Sequence, residues 1–124
     1  MVPGVMCAFP SNEARLSLVG IHVPDRISGM DWVASAAKRS GRPSVASMSF
    51  GGDFSAALNN AAANLVSSGV TTVAAAGNDG IDAANFSPAC TPSVIAVGAT
   101  SITDAKADFS NFGAVIDIWA PGMQ

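Results

Sequence analysis

The fold is decided by residues 44–76, which read SVASMSFGGDFSAALNNAAANLVSSGVTTVAAA. This segment begins with one short apolar run, Ser44–Phe50, and ends with another, Val70–Ala76. Between the runs, apolar residues recur at helical spacing, which predicts a helix with Asp53 as its N-cap. The buried face of this helix is predicted to carry Phe54, Ala57, Leu58, Ala61 and Leu65, with Gly69 as the stop. The order strand–helix–strand, in which both strands are apolar, predicts an α/β fold with helices flanking a parallel sheet.

Further elements follow on both sides of this segment. Toward the amino terminus, apolar residues at helical spacing predict a helix over Gly29–Arg39, with Ser28 as its N-cap. Toward the carboxyl terminus, the apolar runs Ser93–Thr100 and Val115–Trp119 predict two more strands. The intervening Ile81–Pro92 is rich in Pro, Asn, Asp and Ser, which is typical of a loop.

The composition excludes several classes of protein. A chain of 124 residues that is 49% hydrophobic and 12% charged is a globular domain or part of one, and not a disordered chain. The net charge of −3 with six Lys and Arg leaves no basic patch for nucleic acid. The apolar runs are too short to span a bilayer, and Met1–Pro10 lacks the basic region of a signal peptide. Cys7 and Cys90 permit at most one disulfide, and two buried or half-buried thiols are the favoured interpretation.

The chemistry is expected at one edge of the sheet. Parallel strands bring their carboxyl ends to the same edge, where ligands of open α/β sheets bind. Ser49–Gly52 and Ala75–Asn78 leave the sheet at that edge, so we predict that they form facing walls of a cleft. The amide of Asn78 is suited to donate a hydrogen bond to an oxygen that becomes negative during acyl transfer. Gly77–Gly80 (GNDG) is also a good turn sequence, and spacing alone favours the turn interpretation.

Three other residues are weaker candidates. Ser49 is a nucleophile only if a base lies nearby, and it lacks the G-x-S-x-G pattern. His22 is the only histidine, and a packed or surface histidine is favoured over a general base. Asp117 lies inside an apolar run, so its carboxylate must be paired, coordinate a cation or keep its proton. The loop before Ser93 offers carbonyl oxygens of the kind that calcium prefers, and spacing leaves the paired and the ligand interpretations equal.

Four segments together resemble a known family. They are VASMSFGG (Val45–Gly52), VTTVAAAGNDG (Val70–Gly80), NFSPACTPSVIAVG (Asn85–Gly98) and FSNFGAVIDIWAPG (Phe109–Gly122). In order and spacing they are similar to the middle of a subtilisin-like serine protease, nearest to the proteinase K-like branch. The resemblance covers Ile27–Gly122 and implies a subtilisin-like three-layer fold of which this chain is an incomplete fragment.

The resemblance also assigns roles to individual residues. Asn78 corresponds to the family's oxyanion-hole asparagine, which reverses the preference for a simple turn. Substrate-binding positions correspond to Ser49, Phe50, Gly51, Ala75, Ala76 and Gly77, and a structural calcium site corresponds to Pro92, Val94 and Asp117. The implied protein is a secreted endopeptidase that acts on extended peptides or proteins, without an organic cofactor. In a full-length relative the family's inhibitory propeptide would be a further partner.

The sequence departs from the family pattern in three ways. It lacks the motifs of the catalytic aspartate, of the histidine (H-G-T/S-H) and of the nucleophile (G-T-S-M-A), the last of which would lie beyond Gln124. Cys90 lies where the family has no half-cystine, while Ile95 lies where some relatives have Cys. Residues 1–26 do not resemble the family and show no sustained period, so we predict a loop there with at most one strand, in Leu16–Val23.

These departures define the expectations for the chain. It divides into an atypical segment, residues 1–26, and a partial subtilase domain, residues 27–124. Without the triad, it is expected to be inactive alone. A non-catalytic peptide-binding module that grips extended peptides along Ser49–Gly51 remains the alternative. A nucleotide-binding α/β domain is disfavoured, because no glycine-rich phosphate loop follows a strand.

Overall fold

The computed structural model of the protein describes residues 6–10 and 22–123. Its elements are β1 (Met6–Pro10), α1 (Val23–Ser40), β2 (Ser44–Met48), β3 (Gly52–Asp53), α2 (Ala56–Ser67), β4 (Val70–Ala75), a 3₁₀ turn (Ala83–Asn85), β5 (Phe86–Ser87), β6 (Ile95–Thr100) and β7 (Ile118–Pro121). Five strands form one sheet in the order β1-β2-β4-β6-β7, and β3 pairs with β5 in a separate ribbon. The predicted α/β fold with helices flanking a parallel sheet is confirmed.

The strand register brings the predicted strand ends together. Strands β2, β4, β6 and β7 are mutually parallel, whereas β1 runs antiparallel to β2. Ser47 pairs with Val73, and Ala75 pairs with Val97, so successive strands end close to the same level. The carboxyl ends of the four parallel strands therefore form one edge, as the sequence predicts. Within the described residues, no helix is both long and apolar enough to cross a membrane.

One face of the sheet is covered by both helices. Leu58 and Leu65 of α2 and Met30 of α1 are buried in the same cluster as Met48 and Ala74 of the sheet. Burying one such large aliphatic side chain contributes about 1.5–3 kcal/mol. The two helices and the sheet are therefore held together mainly by this apolar layer.

The other face of the sheet is open in the part of the chain that the structure describes. Along β2, β4 and β6 the side chains alternate between the buried face and this open face. Val45, Ile95 and Ile118 lie on the open face and are 42%, 39% and 52% exposed. Within the described residues, the helices therefore cover only one face of the sheet.

Helix α1 begins earlier than predicted. It starts at Val23 instead of Gly29, with His22 as an N-cap whose side chain makes no capping hydrogen bond. Pro24 lies in the first turn, where its fixed φ favours the helix and its missing N–H costs nothing. Asp25 adds a favourable negative charge near the helix N-terminus. The predicted strand at Leu16–Val23 otherwise lies outside the described residues.

Helix α2 begins later than predicted. Its N-cap is Ser55, whose hydroxyl accepts a hydrogen bond from the Leu58 amide at 3.3 Å. Asp53 belongs instead to β3, where it pairs with Phe86. Phe54 is therefore outside the helix and 59% exposed, and Ala57 is exposed within it. The Asp53 cap and the burial of Phe54 and Ala57 were wrong predictions. Pairing with a distant strand overrides the local capping preference here.

The later strands are also shifted from their predicted positions. Strand β6 begins at Ile95 instead of Ser93, because a turn closed by the Val94 N–H to the Thr91 carbonyl (2.9 Å) precedes it. Strand β7 begins at Ile118 instead of Val115. Asp117 consequently lies just before the strand and is exposed, which corrects the prediction of a carboxylate inside an apolar strand.

Candidate active site

A cleft of about 420 Å³ lies at the carboxyl ends of the parallel strands, on the open side of the sheet. It brings together four of the predicted site residues, namely Ser49, Ala75, Gly77 and Asn78. The predicted facing walls therefore do meet in one cleft. Ala99, beside the end of β6, and Gly122, just after β7, also line it, although sequence reasoning gave them no role. Their small size offers only a weak sequence signal, since small residues are frequent throughout this chain.

The cleft is electrically neutral. None of its lining side chains is ionisable, and its polar side chains are the Asn78 amide and the hydroxyls of Ser47 and Ser49. The remaining lining consists of small or apolar residues and backbone. Such a lining suits a neutral ligand that forms hydrogen bonds with amides and carbonyls, and it offers no cation for a phosphate.

Asn78 enters the cleft after an unusual backbone conformation at the residue before it, just past the end of β4. Its side chain is exposed, and the preceding Gly77 has φ of +103°, which residues with a Cβ rarely adopt. A Cβ on Gly77 would also collide with the amide of Asn111 and the ring of Phe86. Glycine at position 77 is therefore required both by the conformation and by the space.

The loop that carries Asn78 is held by Asn111, which is fully buried. The Asn111 Nδ2 donates to the Ala76 carbonyl at 2.9 Å. Its Oδ1 accepts from the N–H groups of Asp79 and Ile81 at 3.0 and 3.1 Å. Its own backbone N–H donates to the Gly77 carbonyl at 3.1 Å. Sequence reasoning missed Asn111, because these partners are 30 to 35 residues away along the chain.

The segment Ser49–Gly51 lies between the end of β2 at Met48 and the start of β3 at Gly52. Ser49 is exposed and lines the cleft, but Phe50 is 7% exposed and belongs to the core. The guanidinium of Arg26 lies 5.1 Å from the centre of the Phe50 ring, a cation–π contact that anchors this segment to α1. The structure thus divides the predicted substrate-binding set between cleft and core, and Ala76 lies in the buried part as well.

The predicted calcium ligands lie at the opposite end of the sheet. Pro92 and Val94 precede β6, and Asp117 precedes β7. The Asp117 Oδ2 accepts a hydrogen bond from the Ala96 amide at 2.8 Å, and the Asp117 N–H donates to the Ala96 carbonyl at 3.0 Å. These two hydrogen bonds do not involve the Asp117 Oδ1. A carboxylate oxygen and backbone carbonyls are donor types that fit a hard cation, although the described residues contain no cluster of three ligating side chains.

His22 and Cys90 lie apart from the cleft. His22 is exposed, and its carbonyl accepts the first hydrogen bonds of α1. Cys90 is a half-buried free thiol whose sulfur accepts a hydrogen bond from the Asn59 amide at 3.4 Å. Cys7 lies in β1, and its side chain is outside the described residues. None of these contacts points to a catalytic role.

Both the sequence and the structure of this chain are similar to those of known proteins. Residues 13–124 match the subtilase family, peptidase family S8. An alkaline serine protease of Corniculantispora psalliotae is 50% identical over 87% of this chain, and a cuticle-degrading protease of Metarhizium anisopliae is 54% identical over 77% of it. The chain spans only 31% and 25% of these two relatives.

Solved structures agree with the sequence relatives. The crystal structure of a cold-adapted subtilisin-like serine proteinase superposes with a TM-score of 0.76 and 43% identity, over 84% of this chain and 37% of that one. The match to the family extends through all the elements that build the cleft. The chain therefore belongs to the subtilase family of serine proteases.

Proposed function

We propose that this chain supplies the oxyanion-stabilising amide and part of the substrate cleft of a serine endopeptidase. The observation that carries the proposal is the position of Asn78 in a neutral cleft at the carboxyl edge of the sheet, on a loop fixed by Asn111. A side-chain amide that is held in place by the fold can stabilise charge as it develops, without reorganising at that moment.

The proposed chemistry is peptide-bond hydrolysis. A nucleophile adds to the carbonyl carbon of the scissile bond, and the carbonyl oxygen becomes negative in the tetrahedral intermediate. The Nδ2–H of Asn78 donates a hydrogen bond to that oxygen, and the C–N bond breaks as the amine leaves with the proton given up by the nucleophile. Water then adds to the acyl carbon, which releases the carboxylic acid and returns a proton to the nucleophile. Sequence motifs for the triad are not found in these 124 residues, so the chain contributes binding and charge stabilisation and supplies neither nucleophile nor base.

The substrate would bind as an extended strand. Residues 49–51 belong neither to β2 nor to β3, so their backbone is available to pair with a peptide. Ser49 then lies beside the peptide, and the small residues Ala75 and Gly77 form the floor of the adjoining pocket. The lack of charge in the cleft suits a peptide backbone, which is neutral.

Peptide turnover tests the proposal. We expect the protein expressed from the full gene to hydrolyse a chromogenic peptide and to be blocked by a serine-directed reagent, whereas the 124-residue chain alone shows no turnover. Heat-inactivated protein and a buffer blank serve as controls. Turnover that is insensitive to the reagent, or no turnover by the full gene product, would contradict the assignment.

The second candidate function is peptide binding without hydrolysis. It is favoured by the same unpaired segment, Ser49–Gly51, which requires no catalytic residue to pair with a peptide. Titration of the chain with an extended peptide would then show saturable binding. A peptide N-methylated at alternate residues should bind much more weakly, because it cannot complete the strand pairing. Equal binding of both peptides would exclude pairing through the backbone.

The proposal extends to the setting in which the protein acts. A relative from Metarhizium anisopliae is named a cuticle-degrading protease, and a cuticle lies outside the cell that attacks it. We accordingly propose that the protein is secreted. The family's inhibitory propeptide is proposed as a partner in a full-length relative.

A structural calcium ion at Pro92, Val94 and Asp117 is also proposed. Calcium at about 100 times its Kd would stabilise the protein by about 2.7 kcal/mol, seen as a rise in Tm relative to EDTA. Asp117→Asn should abolish most of this rise while keeping an oxygen to accept from the Ala96 amide. Asp104→Asn, an exposed acid in another turn, should keep the full rise. Equal rises in all three proteins would remove Asp117 from the site.

A further inference from the structure

We infer that Asn111 is a positioning residue for Asn78, an inference that rests on the proposed function. The two residues are 33 positions apart in sequence, and Asn111 does not line the cleft. Its effect on chemistry would pass entirely through the loop that it holds. What Asn111 contacts is the backbone on both sides of Asn78.

The contacts fix the direction in which the Asn78 side chain leaves the backbone. Each Cα is flanked by two planar peptide groups, whose orientations determine φ and ψ. The peptide group before Asn78 includes the Gly77 carbonyl, which accepts from the Asn111 N–H at 3.1 Å. The peptide group after Asn78 includes the Asp79 N–H, which donates to the Asn111 Oδ1 at 3.0 Å. Both planes are therefore held by one residue.

The remaining bonds of Asn111 lock the same loop at its ends. Its Nδ2 donates to the Ala76 carbonyl and its Oδ1 accepts from the Ile81 N–H. Asn111 is thus connected to residues 76–81 by three hydrogen bonds of its side chain and one of its backbone N–H. The Asn111 side chain and its bond to the Ala76 carbonyl are buried, so an altered side chain would leave that carbonyl without a hydrogen bond.

Asn111 is itself anchored to the sheet. The hydroxyl of its neighbour Ser110 accepts from the Ala99 N–H at 2.9 Å and donates to the Asn111 carbonyl at 3.0 Å. Lys106 Nζ donates to the carbonyls of Ala107 and Ser110 at 3.0 and 3.4 Å. The segment therefore also ties the loop after β4 to strand β6.

Kinetics of the protein expressed from the full gene test this role. Asn111→Ala should lower kcat for a chromogenic peptide about 10- to 100-fold with KM changed by less than about threefold, since small displacements of a catalytic group have effects of this size. In an Asn78→Ala background, the same change should lower kcat by less than about twofold, because the group that it positions is gone. Additive losses would show that Asn111 does not act through Asn78.

Two further variants separate positioning from stability. Ser110→Ala also removes buried hydrogen bonds but leaves the Asn111 bonds to the loop, so it should lower Tm and keep kcat within about threefold. Asn111→Asp sets a buried carboxylate oxygen against the Ala76 carbonyl, so it should lose at least as much kcat as Asn111→Ala. Equal losses of kcat in Ser110→Ala and Asn111→Ala would reduce Asn111 to a stabilising residue.

Amide hydrogen exchange gives a readout that needs no activity. In Asn111→Ala the amides of Asp79 and Ile81 should exchange at least about tenfold faster, because both lose their acceptor. If Asn78→Ala leaves kcat unchanged and this acceleration is seen, the proposed function fails while the bracing of the loop stands. Unchanged exchange at these two amides would overturn the inference whatever the kinetics show.

Discussion

Replacing Asn78 with alanine is expected to lower kcat of the protein expressed from the full gene by about 10²–10³, or about 2.7–4 kcal/mol, with KM nearly unchanged. This range is the one known for the corresponding asparagine of subtilisin, the reference enzyme of the family, and is carried over on that resemblance. In the proposed role, Asn78 binds the carbonyl oxygen most strongly when that oxygen bears a negative charge, which is why kcat falls and KM does not change. Steady-state kinetics on a chromogenic peptide measure the effect.

A neighbour on the same loop provides the control. Asp79→Asn changes an exposed side chain but keeps the backbone N–H that donates to the Asn111 Oδ1. It should therefore leave kcat within about threefold. A rise in KM with unchanged kcat in Asn78→Ala would mean that Asn78 binds the ground state and the transition state equally. That outcome would remove the oxyanion role while leaving a role in substrate binding.

Replacing Gly77 with alanine is expected to destabilise the fold by about 3 kcal/mol, which lowers Tm by about 10 °C in a domain of this size. Two causes add at this position. The φ of +103° is strained for any residue with a Cβ, and the added methyl group would strike the Asn111 amide and the Phe86 ring. Thermal unfolding followed by circular dichroism measures the loss.

Two other glycines separate these causes. Gly41 has a φ of +63° but open space around its Cβ position, so Gly41→Ala should cost about 1 kcal/mol from the backbone alone. Gly52 has neither a positive φ nor any atom within 4 Å of its Cβ position, so Gly52→Ala should change stability by less than about 0.5 kcal/mol. If Gly77→Ala costs no more than Gly41→Ala, the collision with Asn111 and Phe86 is relieved by movement of those side chains.

The open face of the sheet bears on how these variants are measured. Val45, Ile95 and Ile118 expose apolar surface on the side of the sheet opposite both helices. Contiguous apolar surface of this kind promotes association. We therefore expect the Tm of the 124-residue chain to depend on protein concentration if the chain associates. The three glycine variants are compared at one protein concentration.

Local sequence patterns were sufficient to predict the elements whose structure depends mainly on neighbouring residues in the sequence. The apolar runs became β2 and β4, and the helical spacing of Leu58, Ala61 and Leu65 became the buried face of α2. The parallel arrangement followed, because a helix between two buried strands returns the second strand in the same direction. This reasoning also placed Ser49 and Asn78 at one edge, where the structure has them in one cleft.

Local patterns failed where a partner distant in sequence competes for the same residues. Asp53 is a good helix cap by its chemistry, but its pairing with Phe86 places it in a strand and leaves capping to Ser55. Asp117 lies inside an apolar run of the sequence, yet in the structure it precedes β7, and its carboxylate accepts a hydrogen bond from the Ala96 N–H. In both cases a contact across more than twenty residues decides the outcome.

The sequence by itself therefore determined the family, the α/β fold, the parallel strands and the edge at which the site forms. These properties follow from apolar periodicity and from the order of four motifs. The tertiary structure alone decided what holds the site, namely the buried Asn111 that clamps the loop around Asn78 and the space that only Gly77 leaves for it. The physical reason is that a hydrogen bond or a collision depends on distances between atoms, and the spacing of residues along the chain does not specify these distances until the chain has folded.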